Sequence, residues 1–183
     1  SMGGFRTIKV LMVEDNEDDV FLLNAQLSAR GLDTYSERVD SARDLARVLE
    51  EREWDLVICD HAMPGFDSAS ALEVVRRSGR DIPFIIYSGK ISDHMAFSAM
   101  RNGVADYVQK GNIARLVPVI ERELRGVATR RAIQTADARI HALAFFDTLS
   151  ALPNQTLLRA QIDDWLDTVR RSAEPRYATL LVV

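Results

Sequence analysis

Cysteine is almost missing from this 183-residue sequence, and the single thiol, Cys59, excludes an internal disulfide framework. It lies inside an apolar run and reads as a buried, reduced thiol. With no secretory signal at the start, that points to a cytoplasmic address. Histidine is scarce as well: His61, His94 and His141 show no ligand spacing, so a zinc centre is unsupported. No apolar stretch approaches the length of a membrane span. The sequence has no G-x-G-x-x-G, no G-x-x-x-x-G-K-[ST] and no G-x-S-x-G, which argues against dinucleotide, P-loop and serine-hydrolase chemistry. An excess of basic charge is lacking too: Lys and Arg number 23 against 27 Asp and Glu, a net charge of -4. That balance argues against a protein built to grip nucleic acid. What is present is a 47% hydrophobic and 27% charged composition, enough for a packed core. Ser1-Met2-Gly3-Gly4 looks like a cloning remnant.

Apolar runs alternate with helical patterns over roughly the first 130 residues. Thr7 to Val13 reads as a strand, followed by a helix through Val20, Leu23 and Leu27 that stops at Gly31. Thr34 to Val39 forms a second strand, and Ser41 with Asp44 makes a capping start for a second helix. Leu56 to Cys59 is apolar without alternation, the mark of a strand covered on both faces. A helix over Ala69 to Arg77, a strand Phe84 to Tyr87, a helix Ser92 to Met100 and a strand Ala105 to Val108 follow. A long helical pattern then starts near Asn112. Strands and helices in this order imply right-handed crossovers and an α/β fold: a doubly wound, five-stranded parallel sheet with helices on both faces.

In such sheets ligands bind outside the carboxyl ends of the strands. Asp60 ends the third strand there, and alone it is a helix cap, a solvated loop residue or a group placed for chemistry. The first strand ends in Glu14-Asp15, the fourth in Ser88-Gly89, and the fifth is followed by Lys110. Each has a bland reading as a helix-dipole acid, a loop hydroxyl or a solvated lysine. Taken together they are chemically complementary. Clustered carboxylates need a cation, and hard oxygen donors suit Mg²⁺. A free carboxylate beside that ion can accept a phosphoryl group, with a lysine and a hydroxyl to meet the phosphoryl oxygens.

These residues resemble the receiver domain of two-component response regulators. The resemblance rests on V-E-D-N at Val13 to Asn16, D-x-x-M-P at Asp60 to Pro64, the Tyr87-Ser88-Gly89 strand end and D-Y-V-x-K at Asp106 to Lys110. It covers about Ile8 to Arg125 and implies a flavodoxin-like receiver. It further implies that Asp60 is the phosphoacceptor for a histidine kinase or phosphotransfer protein. Glu14, Asp15, Asp60 and the backbone carbonyl of Ala62 match the metal ligands, Ser88 the switch hydroxyl, Lys110 the phosphate-pairing lysine and Tyr107 the aromatic that turns inward on activation. Three positions depart from the usual pattern: Gly111 for a common proline, Gly89 for alanine and Ser68 for glycine. A receiver-like module that signals by protein contacts without phosphorylation is the alternative.

From Ile113 the apolar residues Val117, Ile120, Leu124 and Val127 keep a seven-residue rhythm. It slips near Arg130-Arg131 and resumes through Ile133, Ala136, Ile140 and Leu143. Two readings are open: one long helix leaving the domain and pairing with a second copy, or a terminal helix with a surface tail. Homodimerisation through this helix or through the fourth- and fifth-helix face is the corresponding expectation. Asp147 to Asn154 (DTLSALPN) resembles the D-x-L-T-x-L-P-N start of GGDEF domains, the cyclic di-GMP synthases, with Ser150 for threonine. A helix through Leu157 to Val169 and a strand at Tyr177 to Val183 extend that resemblance. The GGDEF signature would lie past Val183, so no cyclase residues are expected in this chain. The implied organisation is a receiver over 5–125, a helical linker over 126–146 and the start of a GGDEF domain over 147–183.

Overall fold

The computed structural model describes residues 6–89 and 91–172. The tail strand expected at Tyr177 to Val183 and the opening Ser1 to Gly4 lie outside the described residues. The chain divides into two units, Ser1–Thr129 and Arg130–Val183.

In the first unit β1 (Ile8–Val13), β2 (Thr34–Val39), β3 (Leu56–Cys59), β4 (Phe84–Ser88) and β5 (Asp106–Gln109) form one sheet. Every pairing is parallel and the order is β2-β1-β3-β4-β5. The doubly wound, flavodoxin-like sheet is as the sequence implies. Alternate residues of the central strands feed two separate cores. Leu11, Val13, Val57, Cys59 and Ile86 pack with α2 (Ala42–Glu51) and α3 (Ser68–Arg77), whereas Val10, Met12, Ile58, Ile85 and Tyr87 pack with α1 (Glu17–Ala29) and α5 (Ile113–Phe145). Because both faces are covered, β3 and most of β4 read as continuously apolar, whereas the edge strands β2 and β5 carry polar residues. Burying a side chain such as Leu27 or Leu116 contributes about 1.5–3 kcal/mol, and both are fully inaccessible.

Helix starts follow the local chemistry. Asn16, Ser41, Asp67 and Ser92 each accept a bond from a backbone N–H of the first turn, capping α1, α2, α3 and α4 (Asp93–Arg101). Asn112 does the same for α5 through the Arg115 N–H, at 3.2 Å. Gly31 and Gly79, at φ 82° and 69°, follow the ends of α1 and α3. The fourth helix differs from the other helices of the first unit in having no buried residue, while Met95, Phe97 and Met100 stand exposed on it.

Helix α5 is continuous over 33 residues despite Pro118 near its start. The slip in rhythm at Arg130-Arg131 therefore does not break it. In the second unit the end of α5 is followed by a bracket and α6 (Gln155–Arg171). Asp147 Oδ1 accepts from the Leu149 N–H (3.0 Å), the Ser150 N–H (2.8 Å) and the Ser150 hydroxyl (2.9 Å). Asn154 caps α6 through the Leu157 N–H at 3.1 Å and donates from Nδ2 to the Ala144 carbonyl at 2.7 Å. Asp147, Ser150 and Asn154 of the DTLSALPN stretch thus have defined local partners.

Candidate functional site

The rim at the carboxyl ends of the strands is fixed by bonds that carry the sheet one residue past its strands. The Glu14 N–H donates to the Val39 carbonyl (3.0 Å), the Asp60 N–H to Val13 (2.9 Å) and the Lys110 N–H to Ser88 (2.9 Å). These bonds hold Glu14, Asp60 and Lys110 side by side although up to 96 residues separate them in sequence. Carboxylate oxygens of Glu14, Asp15 and Asp60 lie within 4.8 Å of one another, the single acidic group of that kind among the described residues.

Asp60 is held from three directions. Its Oδ1 accepts from the Ser88 hydroxyl at 2.8 Å and from the Ala62 N–H at 3.3 Å, while its Oδ2 accepts from Lys110 Nζ at 2.9 Å. Lys110 Nζ also donates to Glu14 Oε2 and to Asp19 Oδ2, both at 2.8 Å. Glu14 Oε1 accepts from the Asn16 N–H at 3.1 Å, tying the acid to the start of α1. The Asp60 side chain is 12% exposed and that of Glu14 10%. The pocket is a cleft that buries carboxylates.

The two buried acids respond in opposite senses. Burial raises the Glu14 carboxyl above the ordinary range, and the bonds from Lys110 and the Asn16 N–H do not overcome it. Burial pushes Asp60 the same way, but the bonds from Lys110, Ser88 and Ala62 together carry it below the ordinary range. Lys110 is disfavoured by burial, yet its three carboxylate partners hold it firmly protonated. Asp60 is consequently an ionised, partly desolvated carboxylate, the state a nucleophile requires. The neighbouring Cys59 thiol is driven well up by burial and then by the nearby Asp60 and Glu14 charges, so it remains protonated and inert.

The donor set suits a hard divalent cation. Octahedral Mg²⁺ holds oxygens at about 2.0–2.1 Å, and so brings neighbouring ligand oxygens to about 3 Å from each other. Three carboxylate oxygens within 4.8 Å are close to that arrangement, and with Asp19 they outnumber the one ammonium by four to one.

Of the residues singled out from the sequence, Glu14, Asp15, Asp60, Ser88 and Lys110 converge here, and the Ala62 backbone meets Asp60 through its N–H. Tyr107 does not join them. It is half-buried on β5 and lines, with Ile91, Met95 and Gln109, a cavity of about 490 Å³ beside α4. Gly111 stands at φ 91° and donates its N–H to Tyr87 Oη at 2.8 Å, a geometry that proline cannot supply. Two groups were missed. Asp19 lies one and two turns before Leu23 and Leu27, the buried stripe of α1, and that spacing was the readable signal. Asp106, 5% exposed, is clamped by Arg115 (2.9 Å) and Arg122 (3.2 Å) of α5. The matching seven-residue spacing of the arginines hinted at one shared partner.

Comparison with known proteins agrees with this geometry. The family model described as the response regulator receiver domain matches residues 10–121. The chain is 30% identical over 131 residues to the nitrogen assimilation regulatory protein NtrX of Azorhizobium caulinodans, covering 68% of this chain and 28% of that protein. It is 34% identical over 119 residues to the response regulator protein FleR of Pseudomonas aeruginosa, covering 64% and 25%. The chain thus spans about a quarter of the length of these curated relatives. Its fold is similar to that of the receiver domain of sensor histidine kinase PA1611 from Pseudomonas aeruginosa PAO1, at 24% identity and a TM-score of 0.55, covering 65% of this chain and 98% of that one. That crystal structure has a magnesium ion coordinated in its active-site cleft.

Proposed function

This chain belongs to the response regulator receiver domain family, and from that premise we propose that Asp60 accepts a phosphoryl group from a histidine kinase or phosphotransfer protein. The observation that carries the reading is the convergence of the Glu14, Asp15 and Asp60 oxygens within 4.8 Å, with Ser88 and Lys110 bonded to Asp60. A carboxylate oxygen of Asp60 forms a bond to phosphorus as the bond from phosphorus to the donor imidazole nitrogen breaks, and the donor leaves with that electron pair. Lys110 places positive charge beside the transferred group, and the Ser88 hydroxyl turns from Asp60 to a phosphoryl oxygen. Glu14, Asp15, Asp60 and the Ala62 carbonyl would hold Mg²⁺, which supplies charge neutralisation for the incoming phosphoryl oxygens.

On this reading exchange of the Ser88 partner is the local event and Tyr107 reports it, a role supported by its lining the cavity beside α4. The output is a GGDEF domain. Its support is the DTLSALPN stretch, where Asp147, Ser150 and Asn154 each have a structural task. Residues 128–144 of α5 are exposed throughout, with Ile133, Ile140 and Leu143 among them, and this supports pairing of the helix with a second copy. Among the described residues no helix is long and apolar enough to cross a membrane.

Incubation with Mg²⁺ and acetyl phosphate tests the proposal by intact mass. One added phosphoryl group on the wild type and none on Asp60→Ala is expected. An unlabelled wild type, or equal labelling of the variant, defeats it and leaves the contact-only module as the reading.

A further inference from the structure

We propose that Asp19 is a positioning residue that tethers the Lys110 ammonium, so that its geometry survives phosphoryl transfer to Asp60; this rests on the phosphoacceptor reading. An ammonium has three N–H donors. Those of Lys110 are all taken by carboxylates: Glu14 Oε2 and Asp19 Oδ2 at 2.8 Å, and Asp60 Oδ2 at 2.9 Å. The three partners are not equivalent. Glu14 and Asp60 belong to the group of acid oxygens suited to the cation, whereas Asp19 is outside that group and meets the ammonium alone.

When Asp60 becomes an acyl phosphate its carboxylate charge moves out to the phosphoryl oxygens. The Lys110 bond to Asp60 is the one that must be remade, from the carboxylate to a phosphoryl oxygen. With Glu14 as the sole other anchor, a flexible four-carbon stem would be free to swing. Asp19 supplies a second charged anchor, fixed on α1 by the Asn16 cap and the buried Leu23 and Leu27 of the same stripe. It ties α1 to the loop after β5 across the site, over 91 residues of sequence. Two anchors leave one N–H of Lys110 pointing where the phosphoryl oxygen arrives.

The test compares Asp19→Ala and Asp19→Asn with wild type in the full chain, by the rate of acetyl phosphate labelling at Asp60. Losing one charge-assisted bond from a half-exposed partner should slow Asp19→Ala about three- to ten-fold, with Asp19→Asn in between because it keeps an acceptor oxygen. The Mg²⁺ midpoint for thermal stabilisation should move less than about two-fold, since Asp19 is screened and does not ligate. On a Lys110→Ala background Asp19→Ala should add nothing, because both changes break one interaction. Labelling of Asp19→Ala at the wild-type rate, or full additivity with Lys110→Ala, overturns the tether. A readout that needs no phosphorylation is the nitrogen-15 signal of the Lys110 ammonium. It should be sharp in wild type and broadened by faster solvent exchange in Asp19→Ala, which frees one of the three N–H donors, and an unchanged signal overturns the tether as well. If wild type takes no phosphate, the phosphoacceptor reading fails on its own and the ammonium signal still decides whether Asp19 holds Lys110.

Discussion

Replacing Asp15 by Asn should stabilise the protein in EDTA and remove most of its response to Mg²⁺. Asp15 brings a carboxylate oxygen within 4.8 Å of those of Glu14 and Asp60, and none of the three Lys110 bonds goes to it. Two unit charges at that distance repel by about 1 kcal/mol in bulk water and about 3–4 kcal/mol at an effective dielectric of 20. Asp15 is exposed, so the lower end applies to each pair. Attraction to the nearby ammonium offsets part of it, leaving a gain of about 1–2 kcal/mol. For a receiver-sized unit that corresponds to about 4–8 °C in melting temperature. On the proposed reading, bound Mg²⁺ would reverse the sign of Asp15, because a repelling charge would become a ligand. At a hundred times its Kd the ion stabilises the wild type by about 2.7 kcal/mol, and Asp15→Asn should keep only a fraction of that. Thermal melts of both proteins, each in EDTA and in saturating Mg²⁺, should therefore cross: variant above wild type without the ion, wild type above variant with it. A variant that melts at or below wild type in EDTA, or keeps the full Mg²⁺ increment, would refute the claim that these three acids share one cation site.

Three further outcomes follow from single contacts. Gly111→Pro, which installs the commoner residue, should cost about 3 kcal/mol or more in urea unfolding, because proline cannot adopt φ 91° and removes the N–H bonded to Tyr87 Oη; a neutral result would mean that the loop adopts another path at no cost. Asp106→Ala should cost about 1–3 kcal/mol, below the range for a fully buried pair, since Arg115 and Arg122 are half-exposed and return to water; hydrogen exchange should rise at the start of α5, and unchanged protection there would discount the clamp. Asp67→Ala should cost about 1 kcal/mol by loss of the α3 cap. The bond from the Ser70 N–H lowers the Asp67 carboxyl below its unfolded value, so its contribution is present above the ordinary aspartate range and is lost as pH falls through the folded value. The stability gap between wild type and Asp67→Ala should therefore shrink in acid, and a gap constant through that window would contradict the assignment.

The legible parts of the sequence were those where the chain speaks locally. Buried strands such as Leu56 to Cys59 announce themselves by uninterrupted apolar residues, and helix starts by Ser41 or Ser92 before a periodic stretch. Parallel strands end on one edge, and that places Glu14, Asp60, Ser88 and Lys110 on one rim, whereas the strand order itself is a finding of the structure. Other features left only a spacing signal in the sequence, because they depend on how far side chains reach between elements. Asp19 is one of three acids in the first turn of α1, and its place one and two turns before Leu23 and Leu27 is what turns it toward Lys110. Asp106 looked like a motif residue before Tyr107, and the seven-residue spacing of Arg115 and Arg122 did not by itself name it as their shared partner. The continuity of α5 through Arg130-Arg131 was likewise undecided, since a slipped heptad fits either a break or an exposed helix.

The packing also bears on how a charge placed on Asp60 would be felt elsewhere. Strand β4 is buried along its whole length, so Ser88 at its end has little freedom except at the hydroxyl it offers to Asp60. Helix α4, next in the chain, is the opposite: it buries no residue, and Met95 lines both the cavity beside Tyr107 and another of about 410 Å³ against α3. Few apolar contacts hold it, so repositioning it costs less than moving any other helix of the first unit. A two-state element shifts when a ligand or modification favours one state by a few kcal/mol. On the proposed reading, the exchange of one Ser88 hydrogen bond with its charged partner is of that size. The rigid strand and the loosely seated helix therefore divide the work between them: the first fixes where the signal begins, and the second is the part that can afford to move.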